Sequence, residues 1–90
     1  MFTKLAPQKV RHSNGYVVQV ANRESVEYLE AGRRAVVGVD FAATVGVYAK
    51  TLKEWITPEG KMEMTDLDQA EILRRIVAGL EAMGSTVEVC

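Results

Sequence analysis

The hydrophobic period of this chain changes once, and that change limits the folds open to it. Up to about residue 55 apolar side chains recur at every second position, and from residue 66 they recur at three- and four-residue spacing. A period of two belongs to a strand with one buried face, and a period near 3.6 to an amphipathic helix. The clearest stretch is Arg34 to Phe41, where Ala35, Val37, Val39 and Phe41 face one way and Val36, Gly38 and Asp40 the other. Tyr16 to Ala21 groups Tyr16, Val18 and Val20 on one face, and Val26 to Glu30 sets Val26 and Tyr28 against Glu27 and Leu29. Val45 to Trp55 reads as a further strand, with Val45, Val47, Ala49 and Thr51 opposite Gly46, Tyr48, Lys50 and Leu52.

Short polar turns separate these runs. Asn14-Gly15 takes the positive φ angles of a tight hairpin, so Gln8 to His12 reads as a short edge strand leading into it. Asn22 to Ser25, Ala31-Gly32-Arg33 and Ala42-Ala43-Thr44 supply the other turns, and strands joined by so few residues pair antiparallel. Thr57 to Lys61 interrupts the pattern. Thr65 then offers an N-cap for a helix from about Asp66 to Met83, with Asp66 and Asp68 against its positive end. Leu73, Ile76, Leu80 and Met83, flanked by Ile72, Val77 and Leu67, form its apolar stripe, while Glu71, Arg74, Arg75 and Glu81 lie largely elsewhere. Gly84 stops the helix, and Ser85 to Val89 returns as a last strand. The expected fold is α+β, a curved antiparallel sheet of about four to six strands with one amphipathic helix packed on one face. It forms a single domain, residues 1–90, without a linker.

Several kinds of chemistry find no support in the residues. Cys90 is the one cysteine and His12 the one histidine, so neither an intramolecular disulfide nor a structural zinc site is expected. The glycines are never grouped as a phosphate-binding loop, and no cofactor is expected. His12 beside Ser13 lacks the strained turn of a nucleophile, and a Glu27 and Asp40 acid/base pair lacks an orienting partner, so the chain is expected not to be an enzyme. Met1 to Pro7 has no signal-peptide core, and no apolar run approaches the roughly 20 residues of a membrane span, so a cytoplasmic location is expected.

Charge is the informative surface feature. The whole chain balances 11 Lys and Arg against 12 Asp and Glu, which argues against a generic nucleic-acid binder. Its distribution is uneven: residues 1–23 carry Lys4, Lys9, Arg11 and Arg23 without an acid, and residues 54–71 carry Glu54, Glu59, Glu63, Asp66, Asp68 and Glu71 against Lys61 alone. Acidic loops and helix starts are ordinary solvated surface, but the same charges also suit a basic protein partner, speeding encounter. Glu54, Glu59, Glu63, Asp66 and Asp68 are therefore the candidate partner-binding residues, with Tyr48 as an exposed aromatic contact. Trp55 serves either as an anchor for the strand-to-helix crossover or as a contact hot spot. Two alternatives stand beside this: a nucleic-acid module using Lys4, Lys9, Arg11, Arg33 and Arg34, and a homodimeric adaptor using the uncovered sheet face.

The layout resembles the small immunity proteins of bacterial polymorphic-toxin and contact-dependent growth inhibition systems. The similarity lies in a strand-rich N-terminal half, Trp55-Ile56-Thr57-Pro58, then Glu63-Met64-Thr65 leading into Ile72-Leu73-Arg74-Arg75-Ile76 and Leu80, then Gly84 and Val87-Glu88-Val89. The resemblance implies a non-catalytic, stoichiometric inhibitor that binds a cognate toxin domain, often a nuclease, and blocks its active site or substrate surface. No residue of the interface is carried over from it.

Overall fold

A computed structural model describes residues 1–90. The strands are β1 (Phe2–Ala6), β2 (Lys9–His12), β3 (Val17–Asn22), β4 (Ser25–Glu30), β5 (Arg33–Asp40), β6 (Val45–Tyr48), β7 (Glu54–Thr57), β8 (Gly60–Glu63) and β9 (Val87–Val89). A 3-10 turn (Ala49–Thr51) follows β6, and helix α1 (Asp66–Ala82) precedes β9. All belong to one strongly curled sheet in the order β1-β2-β3-β4-β5-β6-β9, with β7 branching from β5 and carrying β8. Every pair is antiparallel except β6 with β9. The α+β class and the helix on one face are as the periodicity predicts; the strands number nine, above the expected range.

The extra strands have local causes. Phe2–Ala6 adds β1 outside β2, so Lys9–His12 is not an edge. The run from Val45 to Trp55 is broken by the 3-10 turn, and the stretch from Thr57 to Lys61 holds the end of β7, the two-residue bend Pro58-Glu59 and the start of β8. Breaking the run lets two strands share one edge of β5: Gly38 to Asp40 pair with β6, and Arg34 pairs with Ile56 of β7. Thr51 fills the fork. Its Oγ1 accepts from the Gly38 N–H at 2.6 Å and donates to the Tyr48 carbonyl at 2.7 Å. A Cβ on Gly38 would stand 3.2 Å from that Oγ1, so the absent side chain makes room for the plug.

The concave face holds the core. Val18, Val26, Tyr28, Ala35, Val37 and Val47 are fully buried there, on the faces that alternation assigns. Leu52 is also fully buried, contrary to its expected place beside Tyr48, because the 3-10 turn ends the alternation before it. Phe41 is 39% exposed, since β5 ends at Asp40 and the chain has left the pleat.

Helix α1 contributes Ile72, Ile76 and Leu80. Leu67, expected to flank this stripe, is 84% exposed. It lies nine positions from Ile76, and at about 100° per residue that is half a turn away, on the far side of the helix. Gln69, seven positions from Ile76, falls on the inner side; its Nε2 donates to the carbonyls of Leu52 at 2.7 Å and Ala49 at 3.2 Å, tying the helix to the fork. Gly79 lets helix and sheet touch, because a Cβ there would meet two Val18 carbons at 2.7 Å. The ends close as the sequence predicts. Thr65 accepts the Asp68 N–H at 3.1 Å, and Gly84, at φ 97°, ends α1 in a Schellman turn with Ser85 N–H on the Leu80 carbonyl at 3.1 Å.

Candidate functional site

The convex face of the sheet carries no helix, and the candidate acidic site lies along its β7–β8 margin. Pro58 and Glu59 form the bend of this hairpin, closed by the Thr57 hydroxyl donating to the Gly60 carbonyl at 2.8 Å. Glu54 and Glu63 are directly opposite each other in the register. Because the Met64 N–H bonds the Lys53 carbonyl at 2.9 Å, the alternation of an antiparallel ladder makes Glu54–Glu63 a non-hydrogen-bonded pair, the closer of the two kinds. Like charges so placed repel and weaken the sheet. Lys61 Nζ lies 3.4 Å from Glu54 Oε1, an exposed pair that offsets part of this.

Asp66, at the start of α1, joins both glutamates around an open cavity of about 380 Å³ that Gln69 and Lys53 also line. The hairpin and the helix start thus bring together three of the five predicted carboxylates. No group of three or more His, Cys, Asp or Glu side chains is spaced to hold a metal ion. Glu59 stands at the hairpin bend, and Asp68 sits in the first helical turn, its N–H held by Thr65; neither lines the cavity.

Tyr48 is 43% exposed opposite Gly38, and Gly38 and Glu54 line one shallow depression of about 370 Å³ with Thr51, Lys53 and Ile56. The aromatic and the acidic margin therefore belong to one surface. Trp55 does not: it is 2% exposed and packs near Tyr28 at 6.1 Å between ring centroids, with the Arg33 guanidinium 3.7 Å from its own ring centroid. Its place as a partner contact is corrected to that of a core anchor. Its parity along β7 opposes that of Glu54, which puts it on the concave side.

The cations proposed for nucleic acid are dispersed. Arg34 Nη1 bonds Glu27 Oε2 at 2.7 Å, and Arg33 lies 3.7 Å from Glu30. Lys9 and Arg11 are on β2, about 14 Å from β5 across β3 and β4. Lys4, paired with Val10, takes the opposite face from both. Glu27 and Asp40 are also apart, since Glu27 pairs with Val36 and Asp40 lies four residues further, about 13 Å along the strand. Glu27 also accepts from Gln19 Nε2 at 3.0 Å; that bond first, then Arg34, holds its carboxyl below the usual range.

One cluster escaped the sequence reading. Phe2, His12, Tyr16, Tyr28 and Trp55 form a chain of ring contacts, with His12 stacked on Tyr16 at 4.8 Å. Arg75 closes it from the helix: Nη1 donates to Tyr28 Oη at 2.8 Å and lies 3.3 Å from Glu30, and Nη2 lies 2.5 Å from Glu71. Burial, only partly countered by Arg75, pushes the Tyr28 phenol up to about 12. Loss of water around the imidazole, and then the positive charges of the N-terminus and Arg75, lower the His12 value. The available signal was the four-residue spacing of Glu71 and Arg75, with Arg75 next to Ile76 at the edge of the stripe.

Comparison with protein-family models, with curated proteins and with solved structures yields no match. No helix is long and apolar enough to cross a membrane.

Proposed function

We propose that the chain is a non-catalytic, stoichiometric inhibitor of the immunity type, acting in the cytoplasm and docking its acidic convex margin on the basic cleft of a cognate toxin domain, most simply a nuclease. The observation that carries this reading is the pairing of Glu54 directly against Glu63 with Asp66 on the same cavity. A sheet margin that sets carboxylate against carboxylate gives up stability when free, and it recovers that energy when Lys or Arg side chains arrive between them. In a nuclease those side chains ordinarily hold phosphates, so carboxylates bound there exclude substrate. Glu59 and Asp68 add to the field that steers encounter, and Tyr48 supplies contact area on the same face.

The test is co-expression with the product of the neighbouring reading frame in a sensitive cell, scoring growth and co-purification together. Protection with a one-to-one complex is expected, with an association rate that falls as salt rises. Replacing Glu54 and Glu63 with Gln and Asp66 with Asn should slow association and flatten that salt dependence. A toxic neighbour that this chain neither binds nor neutralises refutes the reading, and unchanged kinetics in the triple variant removes these carboxylates from the interface.

A further inference from the structure

The sheet leaves three strand edges without partners, those of β1, β9 and β8. Exposed backbone donors and acceptors along such an edge can add a strand from another molecule. What distinguishes β8 is its charge order. The strand reads Gly60-Lys61-Met62-Glu63, and all four residues are exposed, Met62 by 53%. Counting back from the Met64 to Lys53 bond, Gly60 and Met62 turn their backbone groups toward β7, and Lys61 and Glu63 turn theirs toward the open side.

A second β8 laid antiparallel across Met62 therefore meets the outward groups in phase. Lys61 comes opposite Glu63 of the second copy and Glu63 opposite its Lys61, giving about four backbone hydrogen bonds and two opposite-charge pairs, with methionine facing methionine. The two-fold symmetry of such a contact makes each pair occur twice. Neither of the other edges offers this match. The same operation on β1 is centred on Thr3, whose backbone groups turn toward β2, and sets Phe2 against Lys4 with no opposite-charge pair; on β9 it is centred on Glu88 and sets Glu88 against Glu88. Pairing through β8 also places a lysine on the free side of Glu63, which in its own chain faces Glu54.

We propose that β8 is a self-association edge through which two copies of this chain join their sheets, antiparallel and centred on Met62. The proposal goes beyond the inhibitor reading and does not depend on it, since it concerns the free protein. A four-residue strand buries well under the roughly 800 Å² per partner of a standard interface, so the dimer is weak and concentration-dependent.

Sedimentation equilibrium of the free chain from about 10 μM to about 1 mM tests it. The average mass should rise from 9.9 kDa toward twice that value. Lys61→Glu and Glu63→Lys, each alone, should weaken association about tenfold, because both contacts become repulsive. An equimolar mixture of the two variants should restore it, and so should the double variant alone. The restored forms double as proof that the substituted chains fold. A mass that stays monomeric across the range overturns the proposal, and so does a dimer indifferent to the charge reversals, because such a dimer uses another surface.

Discussion

Replacing Glu63 with Gln should make the free protein more stable, although it removes a charge from the proposed interface. The register puts Glu63 directly across from Glu54, with both side chains on the convex face. Carboxylates of a non-hydrogen-bonded pair stand about 6 Å apart, which in a water-like dielectric amounts to about 0.7 kcal/mol of repulsion. Lys61, 3.4 Å from Glu54, already offsets part of this, leaving about 0.5 kcal/mol to be released by the neutral isostere. For a domain of this size the gain is a rise of about 2–4 °C in Tm. The assay is thermal and urea unfolding at a few micromolar protein, low enough to keep self-association out of the measurement. It should be run at low salt and again near 1 M, where the screening length of about 3 Å is shorter than the separation and the advantage should vanish. Binding of the cationic partner should move the opposite way, weakened by the same substitution. A Glu63→Gln protein no more stable than wild type at low salt, or one whose gain persists in 1 M salt, refutes the claim that this pair is held against its own repulsion.

Gly79→Ala should destabilise by about 1–2 kcal/mol: an alanine gains up to about 1 kcal/mol of helix propensity, but its Cβ would sit 2.7 Å from two carbons of Val18, a stiff side chain without room to withdraw. Urea denaturation checks the sign; a stabilised Gly79→Ala protein would mean that helix and sheet do not touch there. Tyr28 has its ionisation raised to about 12 by burial, and a folded value above the unfolded one near 10 means that its contribution is complete below pH 10 and is lost as pH rises through 12. Alkaline titration of phenolate absorbance should therefore show a tyrosine ionising near 12 together with unfolding, a step that Tyr28→Phe removes. Glu27 has its carboxyl lowered by Gln19 and Arg34, so its contribution is present above the usual carboxylate value and disappears as pH falls through the lowered one. Glu27→Gln should reduce stability at pH 7 and flatten the acid limb of a stability–pH curve, and an unaltered limb would count against the ion pair.

Alternation located the buried faces because it reports burial and little else. It placed Val18, Val26, Tyr28, Ala35, Val37, Val39, Val45 and Val47 correctly, each on a strand with one side in the core, and Tyr16, buried just before β3, with them. It failed where the backbone departs from the pleat. The 3-10 turn at Ala49–Thr51 resets the parity that would have left Leu52 outside, and Phe41 lies just past the end of β5. Helical spacing likewise identified Ile76 and Leu80, whereas hydrophobicity alone drew Leu67 into the stripe from the opposite side of the helix. Trp55 has core parity within β7, opposite to Glu54, and the same turn at Ala49–Thr51 breaks the count that would have linked it to Val45.

β1 and β8 stayed invisible for a different reason. Four of the five residues of β1 and all four of β8 are exposed, so no apolar face marks them, and they exist to pair the backbones of β2 and β7. The acidic site was visible as composition but not as geometry for the same cause: the apposition of Glu54 and Glu63 is a product of the β7–β8 register. Strands that bury little are under little constraint from the core, so their side chains are free to carry charge order. In this fold that freedom falls on β8, whose two faces are fixed by its pairing with β7 and whose outer edge is left to contacts beyond the chain.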